Sequence, residues 1–220
     1  ESKTSYYSDL DHPVPFTGTP VRSRVNQYMT DDQRFAAQRP DVLVFQTPAL
    51  TSELKLSGEV EVELQVDLST TDADFIVKVI DVYPDGFSWY KELNIPRPAP
   101  GAQAQNTGVQ VPNYVMGGYQ LRVRGEVMRG KFRESFSDPK PFEPGKTTKV
   151  KFTMPDVMHT FMPGHKLMIQ VQSTWFPLVD RNPQTFCDIY TCDESAYTKS
   201  TIGIHCEPNA ASMVKLPVVK

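Results

Sequence analysis

Residues 59–67 read Glu59-Val60-Glu61-Val62-Glu63-Leu64-Gln65-Val66-Asp67, with an apolar side chain at every second position and a polar one between. A repeat of two is the repeat of a β-strand, whose successive side chains point to opposite faces; a helix would space them by about 3.6 residues. Val60, Val62, Leu64 and Val66 therefore share one face and the charges share the other. That predicts an antiparallel strand with one side on a core and one side in water. The same alternation returns at residues 149–154 (Val150, Phe152, Met154) and 166–173 (Leu167, Ile169, Val171). Less regular apolar runs predict strands at 41–46, 74–83, 119–127, 201–206 and 213–219. Turn residues punctuate them at Ser57-Gly58, Pro84-Asp85-Gly86, Gly117-Gly118, Glu143-Pro144-Gly145 and Pro163-Gly164. Strands in this number, with no long helical repeat, describe an all-β chain folded as an antiparallel β-sandwich or jelly roll. Helix is expected only in short turns, for instance around residues 31–37, where Asp31 or Asp32 could cap.

The rest of the chain is organised around those strands. Residues 1–40 hold few strand signals and read as an extended arm with turns, followed by a sandwich over 41–220, the whole forming one domain. A long connection runs through 84–118 and contains Pro96-Arg97-Pro98-Ala99-Pro100-Gly101 and Ala102-Gln103-Ala104-Gln105. At 220 residues and 24.8 kDa the chain can support one independent core, since a globule of that mass buries about 70% of its extended surface. The 19 prolines and 12 glycines point to turns rather than disorder, because net charge is only −3 and the apolar content is ordinary. The near balance of 23 Lys+Arg and 26 Asp+Glu gives no electrostatic case for nucleic acid or an anionic membrane. No apolar run approaches the length of a membrane span. Cys187, Cys192 and Cys206 leave two arrangements open, one bridge with an odd thiol or three reduced thiols. No Asn-x-Ser/Thr acceptor is present, and the compartment stays open, with a periplasmic or secreted location favoured over a cytoplasmic one.

Residues that could carry chemistry are mostly explained by structure. Gly86-Phe87-Ser88-Trp89-Tyr90 begins like a nucleophile elbow, but the tight turn needs a small residue where Tyr90 stands. Gly125 to Lys131 has phosphate-loop spacing, yet Phe132 replaces the magnesium-binding hydroxyl and the segment reads as strand. His159 and His165 flank Met162-Pro163-Gly164 without a Cys or carboxylate cluster to complete a metal site, which favours structural hydrogen bonding. Asp72 and Asp74 lack the Asp-Gly register of a calcium loop and read as turn caps or a buried charge network. Arg34, Arg39 and Asp41, and the run Asp180-Arg181-Asn182-Pro183, read as bidentate ties between loops and sandwich, with substrate contact as the other reading. Trp175-Phe176-Pro177, at a strand end, reads as core edge or interface anchor. No catalytic residue, cofactor or metal is assigned.

Longer strings add a resemblance. Asp32-Gln33-Arg34-Phe35, Arg39-Pro40-Asp41-Val42-Leu43, Thr71-Asp72-Ala73-Asp74-Phe75 and residues 77–86 come in that order, followed by Met116-Gly117-Gly118-Tyr119-Gln120, Arg129-Gly130-Lys131-Phe132-Arg133 and Pro163-Gly164-His165-Lys166-Leu167-Met168. Residues 171–177 and Asp180-Arg181-Asn182-Pro183-Gln184 complete the set. The chain resembles the C-terminal domain of cocaine esterase-like hydrolases, above all α-amino acid ester hydrolases and glutaryl-7-aminocephalosporanic acid acylases, and more distantly X-prolyl dipeptidyl peptidases. The resemblance implies a galactose-binding-like jelly roll and a serine triad in an α/β-hydrolase domain with a cap, expected upstream and absent here. Those hydrolase and cap domains are the implied partners. It further implies that Asn26, Gln27, Tyr28 and Met29 wall part of the substrate pocket, and that Trp175, Phe176, Arg34 and Arg181 lie at the domain interface. An exposed apolar patch is accordingly expected around Tyr28, Met29, Trp175 and Phe176. Two readings of another class stay open: a carbohydrate-binding module stacking sugars on Trp89, Tyr90, Trp175 and Phe176, and a homo-oligomerisation domain using the 84–118 connection.

Overall fold

The computed structural model describes residues 3–21, 23–97, 111–112 and 114–219. Their strands, in chain order, are β1 (Lys3–Ser8), β2 (Leu43–Gln46), β3 (Leu54–Leu68), β4 (Asp74–Val82), β5 (Gln120–Arg129), β6 (Thr148–Phe161), β7 (Lys166–Gln172), β8 (Ser200–His205) and β9 (Met213–Lys215). They form an antiparallel β-sandwich: one sheet in the order β1-β8-β3-β6 with β9 also on β3, the other in the order β2-β7-β4-β5. Two single-turn helices, α1 (Arg34–Ala37) and α2 (Trp89–Glu92), and short 3-10 turns are the other regular elements of the described residues.

The alternation of residues 59–67 does what its period requires. Val60, Val62, Leu64 and Val66 face inward from β3 and meet Val150, Phe152 and Met154 of β6, while Phe75, Val77 and Val79 of β4 close the core from the opposite sheet. On the outer face the charges of β3 find cross-strand partners: Glu63 pairs with Lys149, and Glu61 with Lys151 and Lys215.

Three local expectations change. Ser57-Gly58 is not a turn, because β3 runs on to Leu54 through a bulge at which Gly58 takes φ +123°. β6 likewise continues past residue 154, since Pro155 falls at the break in the β3 ladder, where no backbone donor is needed. The arm also contributes a strand: β1 pairs along all six residues with β8 and buries Tyr6.

After β1 the arm crosses the outer face of the second sheet. A parallel bridge joins Pro15 to Phe176, where the peptide before Pro177 is cis. Phe16 then packs on Ile76 and Trp175 in a second apolar cluster. This cover explains why β4 is buried on both faces, including Lys78.

Candidate functional site

The segment implied as a pocket wall is a 3-10 turn, Asn26–Met29, in which Asn26, Gln27 and Met29 are exposed. Tyr28 differs from its neighbours. It is half-buried, with its ring 5.5 Å from Phe16 and 6.3 Å from Trp175, and so anchors the turn to the sheet. The guanidinium of Arg122, on β5, lies 4.8 Å from the Tyr28 ring centre and 4.9 Å from that of Trp175. Arg24 approaches the Tyr28 ring at 5.6 Å. Beneath them Lys78 is 0% exposed; its Nζ donates to Gln33 Oε1 at 3.0 Å and stands 5.2 Å from the Trp175 ring centre. Burial pushes the Lys78 ammonium down to about 7, helped by the positive charge of Arg122.

Trp175 is only 6% exposed, so it does not belong to an exposed apolar patch or offer a face to a sugar. The physical reason is the returning arm, which lays Phe16 and Tyr28 over the indole. Met29 and Phe176 are partly exposed, and Arg181 lies 5.5 Å over the Phe176 ring while donating to the Leu10 carbonyl at 2.8 Å. Arg34 sits apart from this cluster: Asp32 accepts from its backbone N–H and from Nε and so orients the side chain, while the N-cap of α1 is Gln33, without a side-chain cap bond.

The remaining polar groups tie the fold together. Arg39 grips Asp41 with two hydrogen bonds of 2.8 Å and donates to the His12 carbonyl, fastening the arm. Arg129 holds Asp74 through Nε and Nη2, and Asn182 donates to the same carboxylate at 2.8 Å. Asp72 accepts from the amides of Ala73 and Lys131; burial, with Asp74 nearby, raises its carboxyl to about 6. His159 of β6 and His165 of the β6–β7 turn both hydrogen-bond Asp81 of β4, at 2.9 and 2.8 Å, clasping one sheet to the other. Cys187, Cys192 and Cys206 are free thiols.

Hydrolytic chemistry needs a hydroxyl, an imidazole with a free lone pair and a carboxylate in series. Ser88 precedes α2 and no histidine bonds it among the described residues. Thr147 Oγ1 approaches His205 Nε2 at 3.4 Å, but that nitrogen already bonds Asp67 at 2.6 Å while Nδ1 bonds Glu207 at 3.0 Å, so a carboxylate and not the hydroxyl takes the position a general base would use. No group of three metal-ligating side chains occurs among the described residues. An open groove of about 680 Å³ beside Phe132 and Phe136 is lined by Arg129, whose guanidinium is already engaged by Asp74. Of the 84–118 connection, residues 98–110 and 113, and with them Pro98 to Gln105 of the two quoted motifs, lie outside the described residues. Sequence reasoning named Tyr28 and Trp175 but missed Arg122 and Lys78.

Comparison with known proteins places this geometry in context. The family described as the X-Pro dipeptidyl-peptidase C-terminal non-catalytic domain matches residues 8–215. Cocaine esterase of Rhodococcus sp. (strain MB1 Bresler) is 28% identical over 220 residues, all of this chain and 33% of that protein. An α-amino acid ester hydrolase superposes with a TM-score of 0.85 at 38% identity, over 100% of this chain and 33% of its own. An aminopeptidase from a marine sediment Thaumarchaeota archaeon gives 0.82 at 33% identity, over 99% and 33% respectively. The chain thus spans about a third of the length of each relative.

Proposed function

The chain belongs to the X-Pro dipeptidyl-peptidase C-terminal non-catalytic domain family, and on that premise we propose that it completes a serine hydrolase without contributing to its triad. The complete enzyme cleaves esters or amides through an acyl-enzyme, its substrates being α-amino acid esters, β-lactam side-chain amides or X-Pro peptides. The sandwich stabilises the catalytic part, and Asn26, Gln27, Tyr28 and Met29 wall part of its substrate pocket. One observation carries the reading: among the described residues, His205 is the histidine that approaches a hydroxyl, and the nitrogen that does so is already held by Asp67, while His12, His159 and His165 bond carboxylates. The length relation supports it, because two thirds of each relative lies outside the matched region.

The test has two arms. The 220-residue chain alone is assayed with p-nitrophenyl esters and X-Pro anilides, and is expected to show no turnover above buffer. Turnover that disappears on Ser88→Ala would falsify the division of labour. In the complete enzyme, Asn26→Ala and Met29→Ala are expected to raise KM several-fold for some acyl groups and not others. Equal kinetics for every substrate would remove the pocket-wall role while leaving the non-catalytic one intact.

A further inference from the structure

Arg34, Arg39, Arg129 and Arg133 each have a carboxylate within ion-pair distance. Arg122 has none among the described residues, and the only acidic side chain outside them is Glu1. Arg122 lies instead against two aromatic rings, its guanidinium carbon 4.8 Å from the Tyr28 ring centre and 4.9 Å from that of Trp175, with the two rings 6.3 Å apart and inclined at 69° to each other. Beyond the Tyr28 hydroxyl, no acceptor among the described residues takes the remaining N–H groups of the Arg122 fork, which can still receive a planar acceptor. Two further donors nearby lack an anionic acceptor. Lys78 Nζ has only the neutral Gln33 amide, and Trp175 Nε1 is buried with no hydrogen-bond partner. Arg24, on the Tyr28 ring, adds a second guanidinium. No acidic side chain pairs with Arg122, Lys78 or Arg24 among the described residues, and one would answer them.

We propose that Tyr28, Arg122 and Trp175 form a carboxylate seat, filled in the complete enzyme by an Asp or Glu side chain from the two thirds of the molecule outside this chain. The proposal rests on the reading that this sandwich packs on a catalytic part. Packing there would strip water from the half-buried guanidinium, and an uncompensated charge at a buried interface is strongly unfavourable. A carboxylate arriving with the covering surface removes that penalty and fixes the register of the turn Asn26–Met29 against its partner.

The experiment uses the complete enzyme. Its crystal structure is expected to place both oxygens of one carboxylate at hydrogen-bond distance, about 2.7–2.9 Å, from the Arg122 edge. Arg122→Gln, Arg122→Lys and the amide variant of that acidic residue are then compared by urea denaturation. Arg122→Gln is expected to lower the folding equilibrium constant at least about tenfold, with the charge-change pair non-additive by about fivefold or more. Arg122→Lys, which keeps the charge but not the fork, recovers only part of the loss. Water, a backbone carbonyl or a neutral side chain at the Arg122 edge overturns the proposal, as does strict additivity. A rise in KM confined to carboxylate-bearing substrates, with unfolding unchanged, assigns the anion to substrate and overturns it too. The two readings fail separately. An active hydrolase with a wet Arg122 edge removes the seat alone, whereas an engaged carboxylate in a protein without hydrolase activity removes the proposed function alone.

Discussion

Lys78 shows how one residue can set the pH response of the fold. Its side chain is fully buried on a sheet face, with a single neutral acceptor and a guanidinium as its nearest charge. Burial favours the uncharged amine, so the folded pKa of about 7 lies below the ordinary 10.5. Between those values the unfolded chain holds a proton that the folded chain has released, and stability therefore rises with pH across that window. The gain integrates to at most about 5 kcal/mol, since a tenfold difference in proton affinity corresponds to about 1.4 kcal/mol. Lys78→Met keeps length and flexibility and removes the titration, at the cost of leaving Gln33 Oε1 without its donor, about 1–2 kcal/mol. Urea denaturation at pH 6.5, 8 and 9.5 is expected to show the variant gaining on wild type at the lowest pH and losing that advantage by the highest. Parallel pH curves for the two proteins would show that Lys78 is charged throughout and solvated by water.

At the scale of elements, legibility follows how many independent signals agree. β3 was readable because four inward residues alternate without interruption, whereas its first turn was hidden by Gly58, which reads equally as a turn or a bulge. Pro155 obscured the second half of β6 for a similar reason: only the partner strand reveals that its missing donor falls at a break in the ladder. The near-continuous apolar run of β4 announced burial on both faces, and that pattern around Lys78 was the available clue to a buried cation. Arg122 carried no such clue. Arg122 and Arg124 are two apart and should share a face, but the register shift opposite Val79 and Ile80 separates them, sending Arg124 to the Asp156 carbonyl and Arg122 to the arm. β1 was missed because its alternation is short and polar, with Tyr6 and Ser8 as its inward residues. Its tie to the opposite sheet is specific: Tyr6 OH and Ser173 Oγ lie 2.6 Å apart and both residues are buried. Tyr6→Phe is expected to cost about 1–2 kcal/mol by leaving the Ser173 hydroxyl unpaired. Tyr7→Phe, on the exposed face of the same strand, should cost under about 0.5 kcal/mol. Equal costs in urea denaturation would mean that β1 is held by its ladder alone.

For the whole molecule, arm and sandwich are expected to unfold as one cooperative unit even though the sequence divides them near residue 41. The arm supplies Tyr6, Leu10, Val14 and Phe16, all buried, and its strand closes the β8 edge of one sheet while its crossing segment covers the outer face of the other. Burying each such side chain is worth about 1.5–3 kcal/mol, so four of them contribute roughly 6–12 kcal/mol. That is as large as the whole stability of an ordinary domain, about 5–15 kcal/mol. Cutting at residue 41 would also strip Gln33 from Lys78 and Arg39 from Asp41, and would expose Ile76 and Trp175. The 41–220 fragment is therefore expected to lose its cooperative calorimetric transition, bind 1-anilinonaphthalene-8-sulfonate and associate through the bared β8 edge. A sharp, reversible transition within about 5 °C of the 220-residue chain would show instead that the arm is an attachment to an already complete sandwich.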